Sequence, residues 1–306
     1  MPRWQQAQAR LARLMSPELP RRLAQASLPT VVWNRDRGKA ETLTQYGVTI
    51  ADTPSAACAS ADVVIVMLSN GPVVEEVMFS ADAAGRVPVE AMRKGATLIV
   101  MSSIPVETCQ AQAPRMAARG VGYIDAPVSG GEPGARDGTL AIMAGGDAAL
   151  IDSLADVFAP MGRVTRIGPV GTGQMTKLSN QIIVGATMAA VAEAMHFATQ
   201  GGADPAAWRT ALMGGFADSK ILNLHGQRMV ERNFVPGGPA EYQLKDMRTA
   251  QAWAEKNGLK FTLLDCVEDM FSRLIERFGT GLDVSAIMRE VERSAGGQEA
   301  EKKGKP

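Results

Sequence analysis

Asp62-Val63-Val64-Ile65-Val66-Met67-Leu68 is an unbroken apolar run behind one acidic residue. A strand with one wet face alternates apolar and polar residues. A continuous run fits a strand covered on both faces, as in parallel sheets flanked by helices. Ala96-Thr97-Leu98-Ile99-Val100-Met101 repeats the signature, and Thr30-Val31-Val32-Trp33 reads as a third strand upstream. Residues 123–128 and 140–144 read as further strands. Helical segments fill the intervals: residues 39–46 stop at Gly47, and residues 105–119 stop at Gly120. This alternation, from about residue 30 to 168, predicts an α/β fold with a doubly wound sheet.

After Gly168 the strand signals cease. Residues 177–200 read as one long helix, apolar nearly all round and therefore expected to be buried. Residues 205–213, 219–232, 240–257, 261–278 and 284–293 read as further helices. The chain thus divides into an α/β domain, 1–168, whose first 20 residues are atypical, and an all-helical domain, 169–293. The glycine-rich Gly168-Pro169-Val170-Gly171-Thr172-Gly173 marks the boundary. The tail, 294–306, has nothing to bury and is expected to be disordered.

Composition narrows the function classes. Lysine plus arginine equals aspartate plus glutamate, 32 against 32 in 306 residues, so no net charge favours nucleic acid or an anionic membrane. Cys58, Cys109 and Cys266 lie far apart and read as free buried thiols of a reducing compartment. His196 and His225 are the only histidines, and neither sits among clustered carboxylates in the sequence, which argues against a metal centre. The N-terminus lacks the apolar core of a signal peptide. The most apolar later stretch, 182–195, is shorter than the ~20 residues that span a bilayer. The expectation is a soluble, cytoplasmic protein.

Two segments carry chemistry. In Asp125-Ala126-Pro127-Val128-Ser129-Gly130-Gly131 a strand ends in glycines, which let backbone amides and a hydroxyl approach an anion closely. Alone, the segment reads equally as a tight turn. In Gly171-Thr172-Gly173-Gln174-Met175-Thr176-Lys177-Leu178-Ser179-Asn180-Gln181, Lys177, Asn180 and Gln181 share one helix face. A lysine amid apolar surface is costly to bury unless it works or is paired. Alone, it reads as a surface lysine snorkelling at a helix end.

Together the two segments resemble the β-hydroxyacid dehydrogenases, the family of 3-hydroxyisobutyrate dehydrogenase, tartronate semialdehyde reductase and 6-phosphogluconate dehydrogenase. Val32-Trp33-Asn34-Arg35, Met101-Ser102-Ser103-Ile104 and Leu244-Lys245-Asp246 extend the likeness, which runs from about Arg21 to Arg293. The resemblance implies a Rossmann domain, an all-helical domain built on the long helix, and an active site in the cleft between them. The reaction it implies is NAD(P)-dependent, reversible reduction of a small aldehyde acid to a 3-hydroxy acid. In it Lys177 is the general acid and base, while Ser129, Gly130 and Gly131 hold the substrate carboxylate. Asn180 orients substrate and Lys177. Gln181, at the next position, gives the Asn-Gln pair of the tartronate semialdehyde reductases, ahead of the 3-hydroxyisobutyrate dehydrogenases as the nearer branch. Met67, Leu68 and Ser103 are implied to touch the cofactor, and Lys245 to close over it, with Asp246 as an ion-pair partner. The chemistry is coherent: a positioned ammonium both neutralises and protonates the oxygen that hydride transfer charges, and a desolvated pocket lowers a lysine pKa far enough for the task. A homodimer or homotetramer, paired through the helical domain, is expected.

Asn34-Arg35 follows the second Rossmann strand, where an acidic residue would hold the ribose hydroxyls of NAD. Its absence, with Arg35, Arg37 and Lys39 close by, favours the 2′-phosphate of NADP; the other reading makes these arginines solvated helix-entry charges. NAD remains the alternative cofactor.

The N-terminus departs from the family. Counted back without gaps from Arg21, the G-x-G-x-x-G glycines would fall at Leu11, Arg13 and Ser16. Residues 1–15, rich in Gln, Ala and Arg, read as helix rather than as a central strand. Ser16 reads as an N-cap, and Pro20 as a residue that removes a helical hydrogen bond. The abrupt return of family-like sequence at Arg21 points to a misread start for residues 1–20. The missing loop also supports an alternative function, a non-catalytic or cofactor-deficient homologue that keeps the dehydrogenase fold.

Overall fold

The computed structural model describes residues 18–296 together with the backbone of 11–14. Contacts divide the chain into two compact units, which meet in sequence after Lys177.

The first unit is built on one nine-stranded sheet. Its strands are β1 (Leu11–Leu14), β2 (Thr30–Trp33), β3 (Thr49–Ile50), β4 (Val63–Val66), β5 (Thr97–Val100), β6 (Gly122–Asp125), β7 (Val128–Ser129), β8 (Leu140–Gly145) and β9 (Gly162–Gly168). The first six are parallel in the order β3-β2-β1-β4-β5-β6, the Rossmann arrangement. β8 then runs antiparallel to β6, β7 antiparallel to β8, and β9 parallel to β8 at the edge.

The apolar runs bury both faces as their composition requires. Val64 and Val66 of β4 and Leu98 and Val100 of β5 enter one core cluster; Val63, Ile65, Ile99 and Met101 enter the other. On the first face the cluster continues into Val74 and Met78 of α4 (Gly71–Phe79) and Cys109 and Met116 of α6 (Val106–Ala117). On the second it takes in Leu19 and Leu23 of α1 (Glu18–Gln25), with Val157 and Phe158.

The N-terminal expectation needs correcting. Leu11–Leu14 is not helical; it is the central strand, paired with β2 and β4 along its whole length. A four-residue gap between two parallel strands leaves two rows of backbone donors and acceptors to satisfy, and that demand outweighs the local helical bias. Pro20 is the third residue of α1, in the first turn, whose N–H groups have no intrahelical acceptor, so it removes no bond. The side chains of Leu11 and Arg13, and Ser16 altogether, lie outside the described residues.

The second unit is helical. The long helix α10 (Thr172–Gln200) leads into α11 (Pro205–Leu212), α12 (Lys220–Val230), α13 (Ala240–Lys256), α14 (Thr262–Phe278) and α15 (Ile287–Ser294). Met188, Ala192, Met247, Phe271, Leu274 and Ile287 are among its buried core. α10 begins five residues before its expected start, at Thr172. The expectation that it is buried all round fails within one chain, because Ile183 is 67% and Phe197 82% exposed. The length argument against a membrane span also fails, since 29 mostly apolar residues are long enough to cross one; the core helix of a soluble protein passes the same test. Cys58 and Cys109 are buried thiols, but Cys266 is exposed. The expectation for the tail falls on residues 297–306, outside the described ones; Ser294 itself closes α15.

Candidate active site

Asp125 ends β6 and is fully buried. Its Oδ1 accepts the Gly171 N–H at 2.8 Å and its Oδ2 accepts the Gln174 N–H at 2.8 Å. The first turn of a helix has four N–H groups without intrahelical acceptors, and a carboxylate there meets both the orphan donors and the positive end of the dipole. One side chain therefore ties the 125–131 segment to the start of α10, which bears Lys177. Burial pushes the Asp125 carboxyl up to about 6, against the Gly171 and Gln174 hydrogen bonds that hold it down. Desolvation wins over two good donors.

A glycine in the 168–173 stretch makes this approach possible. A Cβ on Gly173 would stand 2.3 Å from the Met143 carbonyl oxygen and 2.7 Å from that of Asp125. Gly173 thus sits in a close-packed seam between β6, β8 and α10.

Gln174, also fully buried, brings in a third segment. Its Oε1 accepts the Ile104 N–H at 3.1 Å, and its Nε2 donates to the Ser102 carbonyl at 2.8 Å. Ser102 Oγ in turn accepts the Leu68 N–H at 2.6 Å. Ser103, partly buried, lies inside the stretch that Gln174 clamps, and Met67 and Leu68 follow β4 directly. These are carboxyl ends of parallel strands, where open α/β sheets bind ligands.

Past the end of β2, Asn34 Oδ1 accepts the Asp36 N–H at 3.0 Å, and Asp36 caps α2 (Arg37–Glu41). Arg37 is taken up by Asp52 at 2.6 Å and Glu41 at 2.9 Å. Lys39 stands 3.8 Å from Asp36. Arg35 is exposed, and no such partner engages it among the described residues.

Ser129 ends β7 opposite Ala141. Gly130 and Gly131 follow with φ of 134° and 62°, a pair of conformations that side chains rarely adopt, and both are exposed at the start of α7 (Gly131–Asp137).

In the second unit the Asn180 Nδ2 donates to Gln181 Oε1 at 2.8 Å. Gln181 Nε2 donates to Gln243 Oε1 at 3.0 Å and to Asp246 Oδ2 at 2.9 Å. Asp246 Oδ1 pairs with Lys245 Nζ at 2.9 Å. Asn180, Gln181 and Lys245 therefore belong to one polar cluster, in which Gln243 and Asp246 hold the Gln181 amide whose Oε1 accepts from Asn180. Gly185, one turn on, leaves room for Gln243, whose Nε2 would be 2.7 Å from a Cβ there.

Asp125, Gln174 and Gln243 are the residues whose structural part sequence reasoning missed. The only signal was a glutamine inside the glycine-rich motif and an aspartate at a strand end. His225 lies 3.5 Å from a single carboxylate, Asp283. Among the described residues no three His, Cys, Asp or Glu form a group that could hold a metal ion.

A nicotinamide dinucleotide fits this edge unevenly. Asn34 and Arg35 follow β2, Met67 and Leu68 follow β4, and Ser103 lies just past β5, at the carboxyl edge where open α/β sheets bind ligands. The pyrophosphate turn is the exception: only Met15-Ser16-Pro17 separate β1 from α1, and the first glycine of the chain is Gly38.

Comparisons with known proteins agree with this architecture. The family model of the NAD binding domain of 6-phosphogluconate dehydrogenase matches residues 14–171. The model described as NAD-binding of NADP-dependent 3-hydroxyisobutyrate dehydrogenase matches residues 171–291. The 2-hydroxy-3-oxopropionate reductase of Escherichia coli (strain K12) is 39% identical over 255 residues, 83% of this chain and 86% of its own. The crystal structure of 3-hydroxyisobutyrate dehydrogenase from Salmonella typhimurium superposes with a TM-score of 0.83 at 23% identity, covering 92% of this chain and 99% of that one. Psf3, solved with NADP+ and 2-OPP, superposes with a TM-score of 0.84 at 20% identity over 91% of this chain and 99% of its own. At those identities the two structures speak for the fold alone. Two adjoining family models and a relative aligned over most of both chains make the sequence one of a known group: the chain belongs to the β-hydroxyacid dehydrogenase family.

Proposed function

We propose that this chain is an NAD(P)-dependent dehydrogenase that reversibly reduces a small aldehyde acid to a 3-hydroxy acid. Tartronate semialdehyde (2-hydroxy-3-oxopropionate) is the first substrate to test, and 3-hydroxyisobutyrate, in the oxidising direction, the second. The observation that carries the reading is the Asp125 carboxylate, which ties the Ser129-Gly130-Gly131 segment to the helix turn leading into Lys177. The E. coli relative supports the preferred substrate through its name and its 39% identity.

The dinucleotide, when bound, supplies the hydride. Lys177 Nζ gives a proton to the carbonyl oxygen as negative charge builds there, and takes it back in the oxidising direction. Acid–base help of this kind contributes about 10²–10⁴-fold. Ser129 Oγ and the Gly130 and Gly131 amides receive the substrate carboxylate on backbone without side-chain obstruction. Asn180 orients substrate and Lys177, Gln181 holds Asn180, and Lys245 faces the cofactor. Arg35, exposed beyond β2 while Arg37 is engaged in ion pairs, favours NADPH through its 2′-phosphate. Exposed Ile183 and Phe197 on α10 support pairing of two copies through the helical unit, as a homodimer or a homotetramer.

Lys177→Ala tests the assignment. The expected result is a folded chain whose reduction rate falls by about 10²–10⁴-fold. Lys177→Arg fails to restore it, because a guanidinium stays protonated throughout the working range. Turnover of Lys177→Ala within about tenfold of wild type refutes the role, since loss of a general acid costs more than that.

A further inference from the structure

We infer that Gln174 is a positioning residue that sets Lys177 in register with the 102–104 stretch; the inference rests on the proton-transfer role proposed for Lys177. Gln174 is the third residue of α10, and Lys177 stands three residues on, beside it on the helix surface. Its side chain is fully buried, and a buried primary amide is costly unless its polar atoms are used. Both are used on one loop: Oε1 takes the Ile104 N–H and Nε2 gives to the Ser102 carbonyl. Its own N–H goes to Asp125 Oδ2. The residue thus joins two strand-end segments at one helical turn, and the two ends of its clamp are those whose separation the reaction depends on. Ser103 lies between the two clamped residues, and Lys177 lies one turn along the clamped helix. An aliphatic residue of similar size would fill the space yet leave the Ile104 donor and the Ser102 acceptor unmet, freeing the loop to shift against the helix. A displacement near 1 Å can cost about 10²-fold in rate.

Two substitutions separate positioning from mere packing. Gln174→Leu lowers kcat about 10–100-fold while KM for the aldehyde acid stays within about threefold, because the altered contact is felt in the transition state rather than in ground-state binding. Gln174→Glu reproduces both hydrogen bonds only while its carboxyl is protonated; ionised, it sets a negative charge against the Ser102 carbonyl. Its kcat therefore recovers toward wild type as pH falls, which a packing role would not produce. A third readout needs no cofactor. In the free chain, Gln174→Leu speeds hydrogen exchange at the Ile104 amide and moves the NMR titration of the Lys177 ammonium. A Gln174→Glu enzyme whose kcat–pH profile parallels that of wild type overturns the inference, as does a folded Gln174→Leu chain with unchanged kcat. Where turnover is too slow to follow, an unmoved Lys177 titration overturns it alone. Lys177→Ala in the same series keeps the two readings apart. If it stays active, the assignment of Lys177 fails; if it is dead while the Gln174 variants match wild type, only the positioning role fails.

Discussion

Asp125→Asn changes one atom pair and separates two opposing contributions at the start of α10. In the wild type the carboxylate accepts two backbone N–H groups, one on each oxygen, both at 2.8 Å. The amide keeps one acceptor and turns an NH2 toward the other donor, so one N–H loses its partner, at a cost of about 1–3 kcal/mol. Removing a buried charge works the other way. The carboxyl titrates at about 6 in the folded chain against the ordinary 3.8. Between those values the folded state holds more protons than the unfolded one, so stability falls as pH rises through the window and levels off above it. The full span is about 3 kcal/mol, and roughly half of it lies between pH 5 and 7.5. At neutral pH the two effects nearly offset, and a single measurement there says little. The informative quantity is the difference in slope. Urea unfolding followed at both pH values should show the wild type losing about 1.5 kcal/mol more than Asp125→Asn on going from pH 5 to 7.5. Asp82 and Asp283, whose hydrogen bonds hold them below the usual carboxylate range, lose their contribution only below pH 4 and do not disturb this window. Parallel pH dependences for the two proteins would refute the view that Asp125 is a buried cap whose desolvation outweighs its hydrogen bonds.

Other consequences are as open to measurement. NADPH should be used with higher kcat/KM than NADH, and Arg35→Ala should shrink the difference; equal efficiency in the wild type makes Arg35 a surface charge. The chain as it stands should bind NADPH weakly, because no glycine lies between β1 and α1, and a titration giving micromolar affinity would show that the other strand ends suffice. Gly173→Ala should lower stability by about 1–3 kcal/mol or more, since the added Cβ meets backbone oxygens that cannot swing away; an unchanged thermal midpoint contradicts the seam described here.

Sequence patterns made most elements legible where local chemistry and tertiary environment agree. β4 and β5 announce themselves because both faces are apolar and both are buried. α12 starts where Ser219 caps it, and α13 ends where Asn257 does. Legibility fails where a distant partner decides. Gly171-Thr172-Gly173 reads as a domain boundary, and its place at the start of α10, where Asp125 supplies an acceptor from 46 residues away, cannot be seen in local sequence. β9 mixes Arg163 and Arg166 into an edge strand, so its pattern is too polar to stand out. In the candidate site, motifs single out Ser129, Lys177, Asn180 and Gln181, whereas Gln174 and Gln243 act through hydrogen bonds to segments far off in sequence, which spacing cannot display.

The N-terminus shows why fold and binding are separable demands on one stretch of chain. A parallel sheet in the order β3-β2-β1-β4 needs an extended segment between β2 and β4, and almost any four residues without proline can supply its donors and acceptors. Leu11–Leu14 meet that need, pairing residue for residue with Thr30–Trp33 on one side and Val63–Val66 on the other. A phosphate cradle asks for more. It needs a turn that brings backbone amides to an anion with no side chain in the way, and only glycine meets that condition at each close approach. Here β1 occupies the very positions where the first two loop glycines are counted, Leu11 and Arg13, and three residues remain before Glu18 opens α1. Sheet pairing depends on backbone alone and tolerates the substitution; anion binding depends on the absence of side chains and does not. The Rossmann sheet therefore persists in this chain, and replacing residues 11–17 with a glycine-containing stretch should raise its affinity for the dinucleotide, which a binding titration checks.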